Sequence, residues 1–561
     1  MQRGHDVNVG AGSRVFQLLF GRPILWPVVL WLVAISLFFH PTFLSGFRLV
    51  QGDLGDSRLV NFTLEHSFRW LHGLPLAGDL WSPPIFYPIL NAATYTDPML
   101  GVAPLYWLWR WLGLQPHTAY QCWMLTCWSL NFFFFYLLLR KAFRTSPVAG
   151  SVGAFLFAFA GPRSANIVHQ QLVVEFYLVL ALLAVIMAFR ANKRARPQDR
   201  TGLWIGAFFA SLVLQLYTAF YPFFFFILGL TAVSIAAVFT RDGRSALRRF
   251  ARNHTGPLIV SALASLVAAL PLLVRYYSTA EAVGLRPYKF DRLPHTLSWF
   301  LMGGSNWLYG WIHRFPSMTW AQLSRHHNGV GLITIVLVVI GLWHARRNRV
   351  LQLIMVALAV LFFVTLRMPG DWSLWQLVRF TVPGAAAIRA VSRVAMVLLF
   401  PAAIGLAFYF DKLVERRRFL IAGALFVLVA AEQIHRPLTF DKELAENRVA
   451  AIAGAVPRDA TAFLLVNTGH RMDRYVHDDA AWAAIVSGVP TINGRYGNRP
   501  RGWRLRQVLV RDQRNRDRIH LELGSWIRQK NLEQDRVAWL EFPARPRVRA
   551  LEAAPSDLVT D

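Results

Sequence analysis

Long apolar runs, separated by short arginine-rich loops, constrain this chain more than any other feature. The runs fall at 24–44, 118–139, 147–161, 172–189, 202–220, 222–239, 256–274, 329–344, 350–366, 394–410 and 419–433. Most come near the ~20 residues that a helix needs to cross a bilayer. They predict an α-helical polytopic membrane protein with about eleven transmembrane helices. Only 16% of residues are charged, where a soluble domain carries about a quarter. The net charge of +28 raises nucleic acid as a partner. The arginines punctuate apolar spans instead of forming a continuous stripe, so no nucleic acid is expected.

Charge also sets the expected topology. Five basic loops lie between spans: Arg140–Arg144, Arg190–Arg200, Arg241–Arg252, Arg346–Arg349, and Lys412 with Arg416–Arg418. With a cytoplasmic N-terminal tail, residues 1–23, all five fall inside, provided that the apolar stretch Met99–Leu114 does not span. That stretch contains Pro104 and Arg110 and is assigned to the membrane interface. The transmembrane part is then 24–433, with large outer loops at 45–117 and 275–328. Shorter outer loops lie at 162–171 and 367–393. Tyr221-Pro222 is read as a tight outer turn. The remainder, 434–561, is expected outside as a small α/β domain, with strand-like runs at Phe463–Val466 and Val537–Leu540.

The chemistry-bearing residues gather on the outer side. Gln51-Gly52-Asp53-Leu54-Gly55-Asp56-Ser57-Arg58 follows the first span. Two close carboxylates in a partly dehydrated site push one pKa upward, toward the value a general base needs. The plain alternative is that Asp53 or Asp56 caps the helical stretch Leu59–Leu71, which holds Glu65 and His66. Trp81–Pro88, with Tyr87, and then Asp97-Pro98 form a proline-broken aromatic segment suited to sugar rings or headgroups. An interfacial aromatic belt explains it equally well. In Gly161–Gln171, Arg163 suits a phosphate and His169 or Gln171 a hydroxyl, set against ordinary loop solvation. Arg389 and Arg393, four apart on one helical face at the entry to a span, call for an anion such as a lipid phosphate. Snorkelling to headgroups is the bland reading. His326-His327 is a weak metal signal, and Cys122 and Cys127 read as packing residues. No ATP-binding motif is present.

These motifs resemble those of the GT-C glycosyltransferases, polytopic enzymes that use polyprenyl-phosphate-linked sugars. The acidic segment Gly52–Arg58 lies where that superfamily keeps its catalytic aspartate. Trp81–Pro88 and Thr96–Pro98 resemble the rest of its first loop, with juxtamembrane helices after it. Val382-Pro383-Gly384 to Arg393 and Val489–Asn498 are similar to segments of bacterial members. One departure stands out: His169-Gln170-Gln171 occupies the place where many members hold a second acidic residue. The resemblance implies a bacterial inner-membrane enzyme with a cytoplasmic N-terminus and a periplasmic C-terminus. It would move a sugar, with inversion, to a glycan, lipid or protein acceptor. Asp56 or Asp53 would act as base, and Arg389, Arg393 and Arg163 would hold the lipid phosphate. His169, Gln171, Tyr87, Asp97, Glu65 and His66 would contact substrate. No metal ligand is assigned, although room is left for a divalent cation. The alternatives are a polysaccharide polymerase or ligase, and a transporter or flippase.

Overall fold

A computed structural model describes residues 24–192, 200–284, 292–314, 326–469 and 474–545. The N-terminal tail, 1–23, and the last residues, 546–561, lie outside the described residues.

Every apolar run forms a helix. In chain order these are Leu25–Phe38, Pro116–Leu138, Pro147–Phe159, Phe176–Asn192, Thr201–Leu216, Phe220–Phe239, Thr255–Val283, Leu332–His344, Arg349–Thr365, Val394–Glu415 and Phe419–Gln433. Among the described residues, five helical stretches are long and apolar enough to cross a membrane by length and composition: Pro116–Phe143, Gln170–Asn192, Phe220–Phe239, Thr255–Val283 and Val391–Glu415. Five more are apolar but shorter, at 10–17 residues. Pro147–Phe159 is almost wholly buried and packs against Val394–Glu415 and Pro116–Leu138 at the centre of the bundle. The expected interfacial segment folds as Ala103–Trp111, nine residues, too short to cross.

The five basic loops collect at one end of the bundle. Arg190 donates to the carbonyls of Lys141 and Ala142. Asn192 joins Asn253 and His254. Arg349 pairs with Asp242 at 2.6 Å, and Asp411 accepts from the backbone of Ser146 at 2.7 Å. The loops that carry the acidic motif, His169 and Arg389 collect at the other end.

Some boundaries differ from expectation. The turn expected at Tyr221-Pro222 falls at 217–219, because Pro222 sits in the first turn of Phe220–Phe239, where a missing N–H costs nothing. Thr255–Val283 runs nine residues past the expected end of its span, so the loop after it starts later. The loop at 162–171 contains two short helices, Gly161–Ala165 and Gln170–Val173.

Beyond the bundle, strand β1 (Leu49–Gln51) pairs antiparallel with β2 (Thr439–Asp441), with Val50 opposite Phe440. A parallel sheet follows in the order β4–β3–β5: β3 spans Ala462–Thr468, β4 Leu509–Val510 and β5 Val537–Pro543. Both strand-like runs of the sequence lie in it. Helices Lys442–Gly454, Val476–Ser487 and Gln513–Lys530 accompany the sheet. The boundary expected at 434 is crossed by hydrogen bonds. Within the C-terminal part, the Asn493 side-chain amide pairs with both backbone groups of Leu465 at 2.7 and 2.9 Å. Phe86 and Tyr87 donate backbone N–H groups to Asn493 and Thr491. Phe62, Ile85, Phe86 and Tyr95 of the first loop share one core with Phe463, Trp482, Trp503 and Trp526. The loop after the first helix and the C-terminal part therefore pack as one unit at the end of the bundle away from the basic loops.

Candidate active site

Helix Asp56–Leu71 begins where the first loop leaves β1. Its start is fixed by a reciprocal pair: Asp53 Oδ1 accepts from Ser57 N at 3.0 Å, and Ser57 Oγ accepts from Asp53 N at 3.1 Å. Gly55 holds the N-cap position without a side-chain bond of its own, and Asp53, two residues before it, caps the helix by accepting from Ser57 N. Burial and the neighbouring Asp56 charge raise its pKa, against the Ser57 N–H, Arg495 and Arg474.

Asp56 behaves differently. Its Oδ1 accepts from Arg495 Nη2 at 3.0 Å. Its Oδ2 lies 3.6 Å from His169 Nδ1, too far for a hydrogen bond. The carboxylate keeps 31% of its side-chain surface exposed. Burial opposes ionisation, but His169 when protonated, and at neutral pH the fixed charges of Arg495, Arg393 and Arg474, hold this carboxyl below its usual range. Asp56 is therefore ionised at neutral pH. His169 is held down to about 4, chiefly by burial, and is neutral beside it.

Arg495 was not among the residues singled out from sequence for chemistry. It comes from the Asn493-Gly494-Arg495-Tyr496-Gly497 segment and bridges Asp56 to Asp478, whose Oδ2 accepts from Nη1 at 2.7 Å. Asp478 is buried, and burial pushes its carboxyl up to about 6 against the pull of Arg495. Gly55 makes this approach feasible, because a Cβ there would lie 2.1 Å from Arg495 Nη1. The available signals were a glycine beside the acidic motif and adjacent aspartates on an outer helix.

Arg389 and Arg393 approach the same place from the bundle, but not on one helical face. Arg389 lies in irregular chain, and Arg393 ends a 3₁₀ turn, Val391–Arg393, before the span starts at Val394. Both meet Tyr221. The Arg389 backbone N donates to Tyr221 Oη at 3.1 Å, and the Arg393 guanidinium sits 4.7 Å over the ring. The Arg389 side chain is exposed and donates to the Gly497 carbonyl at 3.0 Å.

The other residues expected at the site are structural in their contacts. Arg163 is fully buried, pairs with Glu175 at 2.6 Å and donates to the carbonyls of Phe157 and Val173. With Nε, Nη1 and Nη2 all engaged, it is not placed to take a lipid phosphate. Glu65 is held by Tyr106 and Arg110, both at 2.8 Å, which explains an arginine inside the Met99–Leu114 run. His66 lies 3.1 Å from the Asp79 carbonyl and is held down to about 4 by burial. Asp97 accepts from Phe220 N at 3.1 Å and from Gln171 at 3.4 Å, tying the first loop to two others. Tyr87 packs against the outer core. Asp56 is engaged by Arg495 and Asp53 by the helix start, and no three His, Cys, Asp or Glu side chains among the described residues are grouped to hold a metal.

No protein-family model matches the sequence, and no curated protein does. Solved structures do resemble the fold. The archaeal oligosaccharyltransferase AglB from Archaeoglobus fulgidus, in complex with an inhibitory peptide and a dolichol-phosphate, aligns with a TM-score of 0.50 at 13% identity, covering 86% of this chain and 65% of that one. The mycobacterial arabinofuranosyltransferase AftD aligns at 0.49 and 12%, covering 85% of this chain and 32% of that one. This chain spans under two thirds of the length of either protein. The chain shares its fold with AglB, and among the described residues five helical stretches are long and apolar enough to cross a membrane.

Proposed function

We propose that this protein is a membrane glycosyltransferase that takes a sugar from a polyprenyl-phosphate carrier and passes it to an acceptor hydroxyl on the outer face. The observation that carries this reading is the Asp56 carboxylate. It is ionised and part-exposed, and it lies where the first loop, the His169 loop and the outer sheet meet. The complex of the structurally similar AglB with dolichol-phosphate and a peptide adds support for a lipid-linked donor.

In this mechanism Asp56 accepts the proton of the acceptor hydroxyl as its oxygen attacks the anomeric carbon. The bond from that carbon to the phosphate oxygen breaks, and the configuration inverts. Polyprenyl phosphate leaves with its negative charge facing Arg389 and Arg393. Fixed donors at a developing anion typically lower a barrier by ~3–4 kcal/mol each. Arg495 orients Asp56, and neutral His169 borders the acceptor position. Arg163 has no part in the chemistry. The basic end of the bundle faces the cytoplasm of a bacterial inner membrane, and the outer sheet faces the periplasm.

Two measurements test this. The Arg389→Gln/Arg393→Gln double variant, titrated with undecaprenyl phosphate, is expected to bind at least about tenfold more weakly than wild type. Unchanged binding would reassign both arginines to headgroup snorkelling. Reporters fused after Arg200 or Arg349 should read cytoplasmic, and one after Asp561 periplasmic. Signals on the same side for Arg200 and Asp561 would overturn the orientation.

A further inference from the structure

Between Asn493 and Val508 the sequence carries five arginines and no acidic residue. Arg495 turns inward to Asp56 and Asp478. The other four do not. Arg501, Arg504 and Arg506 are exposed, and Arg499 is half-buried. Among the described residues, none of these four makes an ion pair. Several other arginines of this unit are paired, Arg58, Arg448 and Arg545 on Asp479, Arg516 on Glu541 and Arg518 on Glu522, whereas these four stand together within eight residues of sequence. Burial and the charge of Arg506 both lower the Arg499 pKa, so like charges stand close together without a counter-ion.

The segment is also sorted by side. Trp503 and Leu505, which alternate with the arginines, are buried at 6% and 0% exposure. Trp503 packs edge-on against Phe86 and donates to the Ile492 carbonyl. What remains outside is charge without apolar residues. Surfaces that lie on a bilayer interleave basic residues with apolar ones that insert, so this pattern favours a soluble polyanion over a lipid surface. The ridge is continuous with the site through the first turn of Val476–Ser487. His477 contacts the Arg506 carbonyl at 3.1 Å, and the next residue, Asp478, holds Arg495.

We propose that the ridge from Arg499 to Arg506 docks an anionic glycan and so presents that chain to Asp56 as acceptor. Sugar rings that carry repeated negative groups meet a row of unpaired guanidinium groups, whose planar forks suit oxyanions. The acceptor role rests on the glycosyl-transfer reading above, whereas glycan docking can be measured without it.

The test uses the full-length protein in nanodiscs of zwitterionic lipid. A fluorescent oligogalacturonate and a neutral oligoglucan of equal length are titrated against wild type and against R501Q/R504Q/R506Q, three exposed positions whose replacement leaves every buried contact in place. Wild type is expected to bind the acidic chain, with affinity that falls as salt rises. The triple variant should bind it about tenfold more weakly, while undecaprenyl phosphate binding stays at the wild-type level. The proposal is overturned if wild type does not bind oligogalacturonate, if the variant binds it equally well, or if the neutral chain binds as tightly. Anionic-lipid vesicles captured through the three arginines, with no capture of oligogalacturonate, would overturn it in favour of a membrane surface. The undecaprenyl phosphate titration of the Arg389/Arg393 variant reports separately on the transfer reading.

Discussion

Asp478 and Asp479 are neighbours on one helix, yet they anchor clusters of different character. Asp479 is fully buried and receives Arg58 at 2.7 Å, Arg448 at 2.8 Å and also Arg545. Arg58 is itself without exposure, so this cluster is sealed and joins the first-loop helix to the outer sheet. Asp478 is equally buried, but its arginine reaches out to Asp56, where both side chains are about a third exposed, at 33% and 31%. The residue types are the same and the positions adjacent. Access to solvent separates a structural lock from a site where a substrate hydroxyl can arrive. A desolvated ion pair holds its geometry strongly but is closed to chemistry.

The sharpest test of this contrast is Asp56→Asn. It removes the proton acceptor and keeps the size, and the part-exposed pair it breaks contributes on the order of 1 kcal/mol. Transfer should fall by about two to four orders of magnitude, with thermal unfolding in detergent near wild type. Wild-type turnover by the purified variant would sink the base assignment.

Asp479→Ala should do the reverse. Removing one partner leaves buried arginine charge uncompensated and should destabilise by about 3–5 kcal/mol, read as a lowered unfolding midpoint. A variant as stable as wild type would mean that the cluster does not join the two regions.

Asp478→Asn probes the link between the clusters. The carboxyl titrates at 3.8 when free and is pushed up to about 6 in the fold. The folded state keeps the proton over that window while the unfolded chain releases it. Stability from this group is full below the free value and is lost as pH rises through the folded one, by on the order of 2–3 kcal/mol. In the variant, the plot of stability against pH should lose that component between about pH 4 and 6. An identical slope would mean that Asp478 is not protonated in the fold.

The smallest effect is expected for Asp53→Asn, because Asn caps a helix about as well as Asp. Stability should change by no more than about 0.5 kcal/mol, and transfer should stay within a few-fold of wild type. A collapse of transfer here, with Asp56→Asn active, would exchange the two roles.

The helices, their order and the grouping of the basic loops were legible in the sequence, because bilayer-length apolar runs and arginine placement act locally and leave a linear trace. The short helix Ala103–Trp111 and the strands β3 and β5 were legible for the same reason. Asp56 was a candidate from its position after the first helix, and Arg389 and Arg393 from charge on the outer side. The partners were not legible. Arg163 reads as an outward phosphate ligand until Glu175, twelve residues on, is seen to bury it. Arg495 lies 439 residues from Asp56, and no local pattern marks the pair. Which of Asp53 and Asp56 is the cap, which of Asp478 and Asp479 is sealed, and that the first loop and the C-terminal part share one core were settled by packing alone. Composition and period choose the elements, because each helix answers to its own residues. Burial and pairing belong to the assembled fold, because desolvation and ion pairing depend on what lies across space.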